Sequence, residues 1–225
     1  MIWEEIWNKR EISHEYNGLE KLLRADGFDS GAGKISIDRW IEYTEYIKQE
    51  IDIQPSDSIF EVGCGCGAFL YPYYLKGHLV GGVDYSSKLI ELANLTFSLD
   101  SFEVAAAEAF DVSERYDVVI SNSVFHYFKD YAFAEQVIAR MCEKSNKYTA
   151  ILDIPDLAHL DKSESYRRQG LSEEEYDKKY AGLPHLYYDK KWFHMVAEKL
   201  GKRIRIFDQN YPIGNLHRYN ILLEN

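Results

Sequence analysis

Short, nearly continuous apolar runs alternate with helically spaced ones through the middle of this chain. Ser58–Val62 reads as a buried strand, and Ala68-Phe69-Leu70 is the apolar start of a helix over 67–76. Leu79-Val80-Gly81-Gly82-Val83 is a second strand ending at Asp84, and Lys88–Ala93 is helical. Phe102–Val104 and Tyr116–Ser121 are the third and fourth strands, Phe133–Cys142 a helix, and Tyr148–Asp153 a fifth strand. A helix around 189–200, marked by Trp192, Phe193, Val196 and Leu200 with Asp189 as its N-cap, precedes strands at Arg203–Phe207 and Tyr219–Leu223. Upstream, residues 1–25 read as amphipathic helix and 26–37 as a glycine-rich loop; Trp40, Tyr43, Ile47 and Ile51 then recur at helical spacing, and Pro55 ends the connection to the first strand.

Strands alternating with helices imply βαβ units. The pattern predicts an α/β fold with a doubly wound, mostly parallel seven-stranded sheet and an antiparallel last strand (Rossmann-like). No helix separates the two closing strands, so they pair antiparallel at the sheet edge. The chain is expected to be a single domain over 1–225, with a helical N-terminal cap at 1–52. Residues 154–188 break the rhythm: they are polar, rich in Glu, Lys and Tyr, and contain Pro155, Gly170, Gly182 and Pro184. An insertion of this length is read as a short-helix lid over the site.

The most informative segment is Phe60-Glu61-Val62-Gly63-Cys64-Gly65-Cys66-Gly67. A strand turns into a helix over a loop with almost no side chains, so backbone N–H groups can approach a ligand. Gly63, Gly65 and Ala68 also satisfy the G-x-G-x-x-G/A dinucleotide pattern. Asp84, 17 residues after Gly67, suits ribose hydroxyls in either reading. Glu61, just before the loop, argues against a pyrophosphate through charge repulsion and suits a ligand with an ammonium group and no phosphate. Dinucleotide domains also commonly begin near their first strand, whereas here more than 50 residues come first, and no second catalytic domain is expected to follow.

Phe60–Leu70 resembles the first motif of class I S-adenosylmethionine (SAM) dependent methyltransferases. Gly82-Val83-Asp84-Tyr85-Ser86 is similar to their acidic second motif, and Asp117–Phe128 resembles the fourth-strand segment of the small-molecule branch. The resemblance covers roughly residues 40–155 plus the terminal helix and strand pair. It implies that Gly63, Gly65 and Gly67 pack under the methionyl part of SAM, with Glu61 supporting the loop or the amino group. It implies that Asp84 accepts from both ribose hydroxyls, that Tyr85 packs on the adenine, and that Asn122 touches the methionyl end. The family's Gly-Asp-Ala run is replaced by Ala105-Ala106-Ala107-Glu108, so the adenine is left to backbone groups of Ala106 and Ala107, or to Glu108. The loop Asp26–Lys34 and the helix after it cover the methionyl end in this reading, with Lys34 facing the SAM carboxylate.

Methyl transfer from a sulfonium depends mostly on alignment and exclusion of water, and needs a base only for a nucleophile that carries a tightly held proton. His126 is the first candidate base, because it follows the fourth strand where ligands collect in such sheets. His185 is the second candidate. Tyr127 and Tyr187 are candidate walls for the acceptor, and Asp153 and Asp156 flank the end of the fifth strand. Cys64-x-Cys66 has neither the spacing nor the partners of a metal site, so no metal is expected.

Composition narrows the partners. The formal net charge of −11 disfavours a nucleic acid. No stretch reaches the length of a bilayer span, and Met1-Ile2-Trp3-Glu4-Glu5 lacks a basic start, so no membrane partner or secretory signal is expected. Three cysteines give no disulfide framework and suit the cytoplasm. The 18 tyrosines suit a small-molecule pocket. These readings converge on a cytoplasmic methyltransferase that uses SAM, leaves S-adenosyl-L-homocysteine, and acts on a small-molecule acceptor. The acceptor group is expected to be a hydroxyl of a secondary metabolite or sugar intermediate. An NAD(P)-dependent oxidoreductase and a catalytically silent SAM-binding protein are the alternatives. The sequence leaves the oligomeric state open.

Overall fold

The computed structural model describes residues 7–8, 15–29, 34–168, 172–180, 185–210 and 217–224. Seven strands form one sheet: β1 (Ile59–Val62), β2 (Val80–Asp84), β3 (Phe102–Val104), β4 (Tyr116–Asn122), β5 (Ser145–Pro155), β6 (Arg203–Asp208) and β7 (Arg218–Glu224). Their order is β3-β2-β1-β4-β5-β7-β6. Neighbours from β3 to β5 pair parallel, while β7 runs antiparallel between β5 and β6. The expected class and the antiparallel closing pair are both present. Order reverses between β1 and β4, which opens a crevice beyond their carboxyl ends.

The helices are α1 (Gly18–Ala25), α2 (Ile37–Glu50), α3 (Tyr71–Tyr74), α4 (Ser87–Phe97), α5 (Tyr131–Lys144), α6 (Leu160–Arg168), α7 (Glu173–Tyr180) and α8 (Lys190–Lys199). None of the described helices is long and apolar enough to cross a membrane. Two apolar layers cover the sheet. One joins α1, α2 and α4 to the strands through Leu22, Trp40, Tyr43, Ile47, Phe69 and Phe97. The other joins α5 and α8 through Val137, Ile138, Met141, Phe193 and Val196. Trp40 donates from its indole to Ala68 O at 2.9 Å, and the Tyr73 hydroxyl donates to Thr44 O at 2.7 Å. These bonds fix the N-terminal cap on the loop after β1.

The helix expected at 67–76 contracts to Tyr71–Tyr74. Gly67 has φ +88°, and the N–H of Ala68 is held by a side chain from α1's C-cap, so residues 65–70 form turns rather than a helical ladder. The helical reading of residues 1–25 is met at 18–25, while 1–6 and 9–14 lie outside the described residues. Gly31 and Gly33 of the first loop, and Gly170, Gly182 and Pro184 of the insertion, also lie outside them. The described part of the insertion forms a 3-10 turn at Leu157–His159 followed by α6 and α7.

At Gly81 a side chain has no room. A Cβ there lies 2.5 Å from Tyr116 Oη and 2.9 Å from Ser101 O, and the carbonyl belongs to backbone that cannot swing away. Gly81→Ala is expected to cost about 1–3 kcal/mol, read as a lower urea midpoint at unchanged m-value.

Candidate functional site

The turn after β1 has every N–H engaged from Gly63 to Ala68. Gly63 N and Cys64 N donate to Val83 O at 2.8 and 3.0 Å, and Gly67 N donates to Cys64 O at 2.8 Å. Gly65 N donates to Asp84 Oδ2 at 3.0 Å. Cys66 N and Ala68 N donate to Asp26 Oδ1 and Oδ2 at 2.8 and 3.1 Å. A Cβ on Gly65 would stand 2.2 Å from Asp26 Oδ1, so only glycine admits this carboxylate, and Gly65 also holds φ +54°.

Three acids therefore meet at the loop. Glu61 is 2% exposed, and its Oε2 has no hydrogen-bond partner among the described residues. Burial, then the charges of Asp26 and Asp84, raise its pKa well above the ordinary value. Burial lifts Asp26 to about 7 against its backbone donors, and it lifts Asp84 as well. Asp84 Oδ1 also accepts from Ser86 N at 2.8 Å. Each carboxylate oxygen has a second lone pair, so Asp84 can hold the loop and still accept from a ligand hydroxyl. Tyr85 is half-buried beside it, and Ala106 and Ala107 lie half-buried just past β3. Lys34 is exposed. Cys64 Sγ and Cys66 Sγ lie against the carbonyls of Gly65 and Leu22, and burial raises both thiols. Among the described residues no cluster has the ligands for a metal ion.

A second cluster stands where β4 and β5 end. Asn122 is buried and accepts at Oδ1 from the Tyr43 hydroxyl at 2.7 Å. Ser123 and Asp153 face one another, both in the left-handed region (φ 61° and 59°), and the Ser123 hydroxyl donates to Asp153 Oδ2. Paired non-glycine strain of this kind concentrates at functional sites. Arg218, the first residue of β7, donates from Nη1 to Asp153 O at 2.7 Å and to Oδ2 at 3.0 Å. The same nitrogen reaches His126 Nδ1 at 3.3 Å. A guanidinium only donates, so His126 Nδ1 accepts, and the neutral ring carries its proton on Nε2.

The structure brings His126 and His185 together, with ring centroids 4.7 Å apart, and Tyr127 lies edge-on to His185 at 5.7 Å. Leu186 N donates to His126 O at 2.9 Å, and Tyr188 N donates to Pro155 O, which threads 185–188 past the end of β5. Tyr187 is buried in that segment, and Trp7 closes on Tyr127 at 6.1 Å. Burial, then Arg218, His185 and Arg167, hold His126 well below the ordinary imidazole value. Burial, then Arg167 and Arg218, push His185 down to about 3. Asp156 belongs elsewhere: its Oδ1 caps the 3-10 turn from Ala158 N, and its Oδ2 pairs with Lys190. Asp189 caps α8, as its place before the helix implied.

Sequence reasoning missed Asp26, Tyr43, Ser123, Arg167 and Arg218 as site groups. Asp26 looks like part of an Asp-Gly turn, and Arg218 like an edge-strand charge. Nothing local in the chain marks either of them.

Residues 60–148 match the family model described as methyltransferase domain. This segment is similar to a methyltransferase domain. Solved structures extend the likeness of fold over the whole chain. Magnesium protoporphyrin IX methyltransferase from Synechocystis, with bound S-adenosylhomocysteine, is 17% identical; the alignment covers 99% of this chain and 96% of that one at TM-score 0.62. The plantazolicin methyltransferase BpumL, also with S-adenosylhomocysteine, is 17% identical over 92% of this chain and 90% of that one at TM-score 0.63. A protein of Haemophilus influenzae described as uncharacterized is 25% identical over 126 residues, 53% of this chain and 45% of that relative, so the match spans under half of its length. The glycine turn and His126 lie within the matched segment, and His185 lies beyond it.

Asp26 makes a pH-dependent test of the turn. Its pKa rises from 3.8 to about 7 on folding. The folded chain thus holds a proton that the unfolded chain releases, so its cost to stability is absent below the lower value and complete above the higher one. Asp26→Asn lacks this titration. Relative to the native chain, the variant should gain stability progressively between about pH 4 and about pH 7 in urea unfolding.

Proposed function

We propose that this methyltransferase moves a methyl group from SAM to a hydroxyl of a small molecule, a secondary metabolite or sugar intermediate, and releases S-adenosylhomocysteine. One observation carries the donor assignment. Asp26, Glu61 and Asp84 crowd a turn whose N–H groups from Gly63 to Ala68 are already engaged. A pyrophosphate finds acids there and no free donors, whereas an ammonium and a sulfonium find compensation. This favours SAM over a nicotinamide dinucleotide. The names of the Synechocystis and plantazolicin enzymes, both crystallised with S-adenosylhomocysteine, lend support.

In this reading Gly63, Gly65 and Gly67 seat the methionyl part, Glu61 and Asp26 compensate its ammonium, and Asn122 borders it. Asp84 takes the ribose hydroxyls, with Tyr85, Ala106 and Ala107 around the adenine. When bound, the donor supplies a methyl group on a positively charged sulfur that leaves as a neutral thioether. His126 presents its Nε2–H to the acceptor. His185 is the base, kept unprotonated by its surroundings, and takes the hydroxyl proton as the oxygen gains carbon. Tyr127 and Tyr187 wall the acceptor, and α6 and α7 act as a lid that keeps water out. We take the chain as one domain working in the cytoplasm. The free, buried Cys64, Cys66 and Cys142 suit that compartment.

Labelled SAM incubated with a metabolite extract should yield a labelled product. Asp84→Ala should weaken S-adenosylhomocysteine binding about tenfold or more, the scale of lost hydrogen bonds to a charged group. Calorimetry with NADH should give no heat. Tight NADH binding with none for S-adenosylhomocysteine overturns the reading. His185→Ala should lower kcat at unchanged donor affinity by about a hundredfold or more.

A further inference from the structure

The acceptor side carries positive charge out of keeping with a chain of net charge −11. Arg218 is 11% exposed on its side chain. Its Nη1 serves Asp153 and His126, while its Nε is buried with no hydrogen-bond partner among the described residues. Arg167 reaches toward the same space from α6. Its Nη2 donates to the Tyr176 hydroxyl at 2.5 Å, and Tyr176 is itself buried. The positive field of both guanidiniums falls on His126, His185 and Tyr187. Asp153 answers one of these charges, and Glu164 is felt at Tyr187.

Building on the methyltransferase reading, we infer that the acceptor carries an oxyanion, a carboxylate or a phosphate, bound by Arg218 with Arg167 and set beside His126 and His185. Four observations support it. The Arg218 fork has a buried N–H left over, which is the donor a bidentate oxyanion uses. Arg218 is anchored by Asp153 and Arg167 by Tyr176, so neither has to search for its partner. His126 is fixed with its proton on Nε2, which adds a donor and no acceptor. Finally, burial and then the two guanidiniums make these imidazoles poor bases, and an anion offsets the second of these causes. An anionic acceptor therefore raises the basicity of His185 on arrival.

The test uses the whole chain saturated with S-adenosylhomocysteine. Histidine ring resonances are followed while sodium benzoate, phenyl phosphate or, at matched ionic strength, sodium chloride is added. Saturable shifts of His126 and His185 with benzoate or phenyl phosphate, absent with chloride, are expected, together with a rise in the His185 pKa. Whichever anion binds tighter names the group. Arg167→Gln should weaken that binding about tenfold and leave S-adenosylhomocysteine affinity intact. Arg218→Lys, which keeps the charge but loses the fork, should do the same. If S-adenosylhomocysteine binds the native chain but neither anion saturates, or if both variants bind anions as the native chain does, this inference is overturned and the donor reading stands. If S-adenosylhomocysteine itself does not bind, the donor reading fails first.

Discussion

The fold is organised around a turn half of whose N–H groups are satisfied by carboxylates brought in from distant parts of the chain. From Gly63 to Ala68 the backbone offers six donors, and three of them go to carboxylates that arrive from elsewhere, Asp84 at the end of β2 and Asp26 after α1. Glycine is required where Asp26 comes closest. The cost of crowding acids is visible in the raised pKa values of all three, with burial the largest cause. A cationic ligand relieves that cost, so the arrangement that closes the turn also prepares the donor side electrostatically.

The side proposed for the acceptor carries the opposite charge. Two guanidiniums and two neutral imidazoles gather where β4 and β5 end, around a strained Ser123–Asp153 pair. The two sides share the crevice beyond β1 and β4. Tyr43 links them, reaching from α2 to Asn122 at the tip of β4. The N-terminal cap is therefore part of the site's framework as well as a cover for the sheet.

What was legible beforehand was local. The strand-to-helix alternation, the glycine spacing and the acid ending the second strand are all readable within a few residues, and the sheet order follows from them. The sequence offers His126 and His185 only as two separate candidates, because 58 intervening residues conceal their pairing and the contact depends on how 185–188 thread past β5. Asp26 was hidden for a physical reason. A carboxylate that replaces helical hydrogen bonds looks like an ordinary turn residue, and the helix it shortens still looks helical by its apolar spacing. Arg218 was hidden because an arginine opening an edge-type strand is usually solvated, and only the antiparallel insertion of β7 beside β5 brings it inward.

That insertion has a consequence for the order in which the molecule becomes competent. A strand that runs against its neighbours delivers its beginning, not its end, to the working rim of the sheet. Arg218 thus belongs to the seventh strand synthesised, whereas the glycine turn and Asp84 are complete once two strands exist. In the proposed reading, nascent chains assemble a place for the methyl donor long before they own a grip on what receives it. Acceptor recognition through Arg218, as proposed, doubles as a sign that the last strand has docked.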